Sequence, residues 1–349
     1  MEKNKAKRIF VITYLKEESP ASIRVERRRW IKGLIRLGHD VQHFSYRNIT
    51  RELSAFKSKY FFKYTAKRYT NPALLEQVRC YHPDIVLALS MEDYGPETVL
   101  AMRQAAPKAV FVGRDGDWLP DKNKKERLAI ARQMDIVIAT NAGEWLETYK
   151  KAGVPVCAFI PCPCDPDIQH PYKDEEFIGT DFIFTGSVEH RKNNDEADPD
   201  RYIILEKLSK MNNAKVYGSF GNPKIEGIDA FKAISNAKIA LSINAYNSMR
   251  MYHSDRLVNC LSCGTFTLAK RVPDTDLLFK DGVHLKYFDT ADEFFELADW
   301  YLKHPQERGE IAQAGIEHAH KEFNCTKIAG YVMDLIEKGS YDAPWKHII

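Results

Sequence analysis

The sequence predicts an α/β protein made of two doubly wound, Rossmann-like parallel-sheet domains that face each other across a cleft. Short apolar runs alternate with amphipathic helical segments, and this alternation is typical of βαβ units and parallel sheets. The alternation is interrupted once, at residues 161–171, where four prolines occur in eleven residues. A chain of 349 residues is also long for a single core, so two domains are expected.

The first half of the chain contains six apolar runs that we predict to be strands. The first helical pattern follows the first run, covers 21–37 and ends at Gly38. The alternation predicts a parallel sheet covered by helices. The predicted strands are 8–14, 40–46, 84–89, 109–113, 135–140 and 154–160, and the other predicted helices are 72–80, 96–105, 123–133 and 143–152.

The same pattern restarts after the proline-rich segment, which we interpret as a linker. We therefore predict an N-terminal domain over 1–165 and a second domain over 166–325, followed by a helix and tail over 326–349. The predicted strands of the second half are 182–186, 215–218, 238–243 and 265–270, and its predicted helices are 200–210, 229–235, 254–263, 291–303, 306–321 and 326–338.

The composition is that of a globular protein, with 44% hydrophobic and 28% charged residues. No apolar run approaches the roughly 18–20 residues of a membrane span, and residues 1–15 read as a first strand instead of a signal peptide. Seven cysteines, an odd number, favour a reducing cytoplasm. The pairs Cys162/Cys164 and Cys260/Cys263 are compatible with zinc, but we interpret them as buried thiols and predict no metal site.

The net charge of +3 conceals an uneven distribution. Residues 1–70 contain 18 Lys and Arg against 6 Asp and Glu, which indicates an anionic partner for one face. Segment 57–69 interleaves five basic with five aromatic residues. This segment is compatible with an anionic membrane surface, with nucleic acid, or with a solvated amphipathic helix.

Polar and glycine residues follow several strands of the second half. Gly186 and Ser187 end one strand, with Arg191 close behind, and such a turn lets backbone N–H groups and a guanidinium bind phosphate. Tyr217 and Gly218 open a glycine-rich loop that is suited to a flat base.

The helix predicted over 254–263 begins with polar residues. Ser254 is expected to be its N-cap, while Arg256 in the first turn opposes the helix dipole unless an anion is also present. Asn259, one turn later, is placed to bind ribose hydroxyls. The helix start is therefore either a solvated first turn or an anion site, and an anion would explain Arg256.

The order of TGS at 185–187, YG at 217–218, AKIALSIN at 237–244 and SDR at 254–256 resembles the C-terminal half of GT-B glycosyltransferases, most closely the CgeB-like, group 1-type proteins. The resemblance covers most of residues 180–325, whereas over residues 8–160 it is weak and scattered. It implies a last helix that crosses back to the first domain, and a nucleoside diphosphate sugar, UDP-linked, as donor, without metal or a tightly bound cofactor.

Carried over by position, the resemblance assigns roles to these residues. The family usually has a glutamate for the ribose where this chain has Asn259, which is a departure. The residues implied to hold the donor are Gly186, Ser187, Arg191 and Arg256 at the diphosphate, Tyr217 and Gly218 at the base, and Ser254 and Asn259 at the helix start.

The first domain is expected to supply the acceptor site. Arg114, Asp115 and Asp117 follow a strand, and phage DNA glucosyltransferases, which share this fold, place their general base similarly. An inverting transfer needs such a carboxylate, with Asp115 the first choice and Asp117 the second, whereas a retaining transfer does not. Ser22 and Arg24, in the loop after the first strand, are further acceptor-side candidates.

Together these features predict a cytoplasmic glycosyltransferase of polysaccharide biosynthesis, with a nucleotide sugar as donor and an anionic acceptor: a glycan, a lipid-linked glycan or nucleic acid. Segment 57–69 would allow peripheral contact with the inner face of the membrane. The alternatives are a phage-type glucosyltransferase that acts on modified DNA, a nucleotide-sugar 2-epimerase, and a degenerate GT-B binding protein, which Asn259 favours.

Overall fold

The structure is a computed structural model that describes residues 5–15, 25–55, 61–116, 121–174, 177, 179–188 and 197–349. The chain divides into two compact units, one formed by 1–160 with 326–349 and the other by 161–325. Each unit contains one parallel β-sheet with helices packed on it. The predicted architecture of two parallel-sheet α/β domains is therefore confirmed.

The first unit contains a six-stranded parallel sheet in the order β2-β1-β3-β4-β5-β6. Its strands consist largely of buried apolar residues, as expected of a sheet covered on both faces. Its strands are β1 (Arg8–Thr13), β2 (Asp40–Ser45), β3 (Ile85–Ala88), β4 (Val110–Asp115), β5 (Ile136–Ala139) and β6 (Val156–Phe159). Its helices are α1 (Val25–Arg36), α2 (Tyr46–Leu53), α3 (Phe62–Thr65), α4 (Asn71–Tyr81), α5 (Pro96–Ala105), α6 (Asp121–Ala131) and α7 (Glu144–Lys151), with a π-helical turn (Ala66–Thr70) between α3 and α4.

The second unit contains a five-stranded parallel sheet in the order β11-β10-β9-β7-β8. Its strands are β7 (Thr180–Thr185), β8 (Ala214–Tyr217), β9 (Ala237–Ser242), β10 (Thr267–Lys270) and β11 (Lys286–Phe288). Its helices are α8 (Pro199–Ser209), α9 (Gly227–Ser235), α10 (Asp255–Ser262), α11 (Ala291–Lys303) and α12 (Pro305–Glu322), and the chain then continues into α13 (Cys325–Lys338).

The sequence analysis did not predict helix α2, helix α3 with the π-helical turn after it, or strand β11. Strand β11 has only three residues and pairs with β10 alone at the sheet edge. Helix α2 buries Tyr46, Asn48 and Thr50, two of which are polar, so its buried face is not apolar in the sequence.

The proline-rich segment was expected to be a linker, but it is packed into the second unit. Cys162, Cys164 and Gln169 are at most 2% exposed. The backbone N–H of Cys164 donates to the carbonyl oxygen of Phe323 over 2.7 Å. The proline content prevents regular structure here but does not prevent burial, since side chains and carbonyl groups still find partners.

Residues near the C-terminus pack on the edge of the first sheet. Cys157 and Ile349 exchange backbone hydrogen bonds of 2.9 and 2.8 Å, which form an antiparallel bridge beside β6. The hydroxyl of Tyr341 donates to the carbonyl oxygen of Phe159 over 2.6 Å. These contacts explain why 326–349 belong to the first unit.

Helix α12 offers a matched test of its packing, because it contains two glycines in different surroundings. A Cβ at Gly315 would lie 2.4 Å from the carbonyl oxygen of His284, whereas a Cβ at Gly309 would meet no atom within 4 Å. We expect Gly309→Ala to raise the unfolding free energy by about 0.5–1 kcal/mol. Gly315→Ala should lower it by about 1–3 kcal/mol through overpacking.

The measurement is urea denaturation of both variants and of the wild type, followed by circular dichroism. An equal response of the two variants would contradict the packing of α12 described here.

Candidate functional site

A cavity of about 300 Å³ lies at the carboxyl ends of β7 and β8 in the second unit. Four of the predicted donor residues line it together, which the separate sequence motifs could not show. We call it the β7–β8 cavity. Its lining residues are Thr185, Gly186, Ser187, Tyr217, Gly218, Lys224, Ile225 and Glu226.

The turn after β7 is held by the turn after β8. The N–H of Gly186 donates to the carbonyl oxygen of Tyr217 over 3.0 Å. The fully buried Ser219 hydroxyl donates to the carbonyl oxygen of Gly186 over 2.6 Å and accepts from the N–H of Val188 over 3.1 Å. Ser219 is thus a clamp on the Gly186 turn that sequence reasoning missed, since a serine in a glycine-rich loop carries no distinctive signal.

Glycine is required at position 218 by both conformation and space. Its φ is +80°, in the left-handed region that L-residues avoid, and a Cβ would lie 3.2 Å from the carbonyl oxygen of Gly186. The N–H of Gly218 donates to the carbonyl oxygen of Pro223 over 2.9 Å, so the loop folds back on the strand end. The cavity therefore depends on the missing side chain at this position.

Arg256, in the first turn of α10, lies directly behind the cavity wall. Its Nε donates to the carbonyl oxygen of Thr185 over 2.6 Å, and its Nη1 donates to that of Ile243 over 3.1 Å. A Cβ on Gly186 would lie 2.4 Å from its Nη2. Strand-end carbonyl oxygens thus offset part of the conflict between this cation and the helix dipole.

A second arginine, Arg201 of α8, is buried beside it and was not singled out in the sequence. Its guanidinium donates to the carbonyl oxygen of Ile243 and, over 3.1 Å, to that of Ser187. The ring of Phe184 lies 4.3 Å from the guanidinium carbon of Arg256 and 5.1 Å from that of Arg201. The guanidinium groups of both arginines therefore lie against the ring of Phe184, next to the cavity.

The other two residues predicted in α10 have partners within the protein. Ser254 occupies the N-cap position, but the expected side-chain cap bond is not made, and its Oγ lies 3.5 Å from Nη1 of Arg256. The Oδ1 of Asn259 accepts from Nε2 of the buried Gln169 over 2.6 Å. The ribose contact of Asn259 stays a prediction, and its carbonyl oxygen is already engaged.

The Cys260 thiol of α10 is inert because of its environment. Burial raises the pKa of the Cys260 thiol to about 12, so the thiol is neutral at physiological pH. In the described part of the chain, no three His, Cys, Asp or Glu side chains form a group able to hold a metal ion.

In the first unit, Asp115 is the last residue of β4 and its side chain is 2% exposed. One carboxylate oxygen accepts from Nη1 of Arg127 over 2.5 Å. The other accepts from Nε1 of Trp145 over 2.8 Å and from the hydroxyl of Tyr149 over 2.6 Å. Burial and this carboxylate raise the pKa of Tyr149 well above its usual range, so its hydroxyl stays a donor.

Arg114 is also buried, with its guanidinium carbon 5.3 Å from the ring centroid of Trp30. Arg114 and Asp115 line a narrow crevice of about 10 Å³, which has room for one water molecule. The residues that line this crevice are Arg27, Leu89, Met91, Glu92, Arg114, Asp115, Gly116 and Arg127.

Asp93 is a further buried acidic residue of the first unit, and the sequence analysis did not predict it as a site residue. It lies in the loop after β3, its side chain is 1% exposed, and its Oδ1 accepts from Nε of Arg47 over 2.5 Å. Burial raises the pKa of Asp93 to about 6, although Arg47 opposes the rise. The sequence carried no sign of this burial.

Four predicted site residues lie outside the described part of the chain: Ser22, Arg24, Asp117 and Arg191. Their roles stay predictions. Within the described part, no helix combines the length and hydrophobicity that crossing a bilayer requires.

Comparison with known proteins identifies the fold. Over 95% of its length the chain matches Anabaena HepE in complex with UDP and glucose, with a TM-score of 0.60, 12% identity and 100% of that chain covered. It matches sucrose-phosphate synthase of Thermosynechococcus elongatus with a TM-score of 0.64, 13% identity, and coverage of 95% of this chain and 98% of that one. A glycosyltransferase of Rickettsia africae matches with a TM-score of 0.58, 14% identity, and coverage of 96% and 99%.

Sequence comparison adds a family match for part of the chain. Residues 201–334 match the family model described as glycosyl transferase-like. No curated protein matches the chain by sequence. The family match supports glycosyl transfer as the activity, whereas the CgeB-like subtype stays a prediction. The chain therefore has the GT-B glycosyltransferase fold, with a glycosyl transferase-like sequence over 201–334.

Proposed function

We propose that the protein transfers a glycosyl group from a nucleoside diphosphate sugar, with UDP as the nucleotide, to an acceptor hydroxyl. The β7–β8 cavity carries this proposal, because the Gly186 turn, Gly218 and Arg256 meet there. Its volume of about 300 Å³ is at the lower end of small-molecule sites. Solved structures of the similar HepE contain UDP or UDP-glucose.

The diphosphate would lie over the Gly186 turn. A glycine lets backbone N–H groups approach phosphate oxygens, and Arg256 stands within reach behind it. Arg201 adds a second positive charge at the same ring. Because two guanidinium groups lie next to the proposed position of the diphosphate, we propose a transfer that needs neither a metal ion nor a tightly bound cofactor.

The nucleotide base would occupy the other end of the cavity. Tyr217 and Ile225 supply an apolar wall there, while Lys224 and Glu226 supply a donor and an acceptor. Such a mixture of a few polar groups on an apolar lining is common in nucleotide sites. The ribose contact through Asn259 belongs to the same proposal.

The acceptor side would be in the first unit, at the carboxyl edge of its sheet. Three arginines, Arg27, Arg114 and Arg127, line one crevice there with Asp115 and Glu92. The crevice has room for only one water molecule, so the acceptor would bind outside it. The excess of basic residues in 1–70, 18 against 6 acidic ones, supports an anionic acceptor, whether glycan, lipid-linked glycan or nucleic acid. A cytoplasmic location and a part in polysaccharide biosynthesis complete the proposal.

Asp115 was expected to be the general base, but its contacts favour an anchoring role, which we propose instead. Three donors stabilise its ionised form, and both oxygens are committed to the protein. A general base needs a pKa near the working pH, and burial gives that property to Asp93. A raised pKa alone does not make Asp93 a base, because its side chain is 1% exposed and its Oδ1 is paired with Arg47.

The two roles of Asp115 predict different outcomes for Asp115→Asn. If Asp115 is an anchor, its replacement removes the charge from a buried ion pair with Arg127, so the unfolding free energy should fall by about 3 kcal/mol. The exposed ion pair of Asp84 with Arg8 provides the control, and Asp84→Asn should cost less than about 1 kcal/mol. Chemical denaturation measures both, and an Asp115→Asn variant of full stability without sugar transfer would restore the base role.

The donor site is tested by a matched pair of glycines. Gly218 and Gly221 both have a φ of +80°, so alanine at either position costs about 1–2 kcal/mol of strain. Only at Gly218 would the new methyl group lie 3.2 Å from the carbonyl oxygen of Gly186, whereas at Gly221 it would meet no atom within 4 Å. We expect Gly218→Ala to weaken UDP binding about tenfold or more, and Gly221→Ala to leave it nearly unchanged.

Calorimetric titration with UDP, in the presence of a chelator, makes this comparison. Release of UDP from UDP-glucose in the absence of acceptor then tests the chemistry. Equal UDP affinity of the two variants would remove the β7–β8 cavity from the donor site, and a folded wild type that binds no UDP would contradict the proposed donor.

A further inference from the structure

An exposed apolar patch lies in the first unit, away from the residues discussed so far. Four large side chains, Leu53, Phe61, Tyr64 and Tyr69, are each 46–55% exposed. They line one cavity of about 550 Å³ together with Glu52, Ser54, Ala55 and Thr65. Large side chains that cluster at such exposure are typical of an interaction surface.

The local helix geometry presents these side chains on one side. Helix α3 continues through the π-helical turn into α4, and Thr65, Ala66 and Thr70 point into the unit and are buried. Residues 67–69 are all exposed in succession. The element is therefore amphipathic, with rings and cations together on its outer side.

Three cations accompany the apolar patch. Lys63, Lys67 and Arg68 are exposed, against one acidic residue, Glu52, in the lining. The guanidinium carbon of Arg68 lies 5.7 Å from the ring centroid of Tyr64 and 5.6 Å from that of Tyr69. Its Nη1 also donates to the Tyr64 hydroxyl over 2.5 Å.

We propose that this aromatic-basic face, made of the four apolar side chains and the three cations, docks on the surface of an anionic lipid bilayer. Aromatic and aliphatic side chains would enter the boundary between headgroups and acyl chains, while the cations contact the headgroup phosphates. Tyrosine suits this boundary because its ring is apolar and its hydroxyl is polar.

The same contacts make nucleic acid a poorer occupant. Bases stack on open aromatic faces, but the guanidinium of Arg68 already lies against Tyr64 and Tyr69. Leu53 adds apolar surface without a face for stacking. The proposal involves no residue of the β7–β8 cavity, so a test of membrane docking is independent of a test of the donor site.

Co-sedimentation with vesicles tests the proposal on the full chain. We expect binding to vesicles of phosphatidylcholine mixed with phosphatidylglycerol, weaker binding at high salt, and none to phosphatidylcholine alone. The double variant Lys63→Gln with Lys67→Gln should lower the partition coefficient about 30-fold. The double variant Phe61→Ser with Tyr64→Ser should lower it about tenfold or more, without changing the salt dependence.

Matched controls come from exposed residues of the second unit. The control for the apolar variant is Ile203→Ser with Leu277→Ser, which removes side chains that are 52% and 48% exposed. The control for the lysine variant is Lys210→Gln with Lys303→Gln, which removes an exposed lysine just after α8 and another at the end of α11. Both controls should bind vesicles as the wild type does. All of these positions are exposed, so the variants should fold, which thermal unfolding checks.

Results of three kinds would overturn the proposal. One is a wild type that does not sediment with anionic vesicles, or controls that lose binding as the variants do. Another is tight binding to single-stranded DNA that the same variants abolish, which would assign the face to nucleic acid. The third is a dimer in solution that Phe61→Ser with Tyr64→Ser dissociates, which would assign it to a second copy of the chain.

Discussion

The carbonyl oxygen of Ile243 accepts hydrogen bonds from two arginines, and the site in the second unit depends on this shared acceptor. Arg256 also binds the carbonyl oxygen of Thr185, and Arg201 also binds that of Ser187. Helices α8 and α10 are thereby connected to the ends of β7 and β9. The Gly186 turn lies between these contacts, so its position follows from them.

These acceptors also matter for charge. Carbonyl oxygens satisfy the N–H groups of a guanidinium, but they carry only partial negative charge and do not cancel a full positive one. The ring of Phe184 spaces the two cations and excludes water on its side. These contacts hold the two guanidinium groups next to the β7–β8 cavity, where the proposed diphosphate would lie.

Strand positions could be predicted from the sequence because parallel strands buried on both faces appear as continuous apolar runs. The sequence analysis missed strand β11 because it is a three-residue edge strand, and it missed helix α2 because that helix buries polar side chains. The glycine turns at Gly186 and Gly218 were visible as strand-end motifs. Their meeting in one cavity was not, because it depends on strand order and on the buried Ser219.

The carboxylates of the proposed acceptor side show more clearly what sequence-based prediction misses. Asp115 was placed correctly at the end of a strand, but its environment comes from Arg127, Trp145 and Tyr149 on helices farther along the chain. Burial of Asp93 likewise results from packing that one sequence does not reveal. Position along a strand can be predicted from pattern, whereas burial and pairing of a carboxylate require the assembled unit.

Hydrogen–deuterium exchange of the backbone amides, with and without UDP, tests the central claim most directly. The account predicts protection by UDP in 185–188, in 217–226 and in the first turn of α10, because these segments surround the β7–β8 cavity. UDP binding that leaves all three segments unprotected, or no binding by a folded sample, would contradict it.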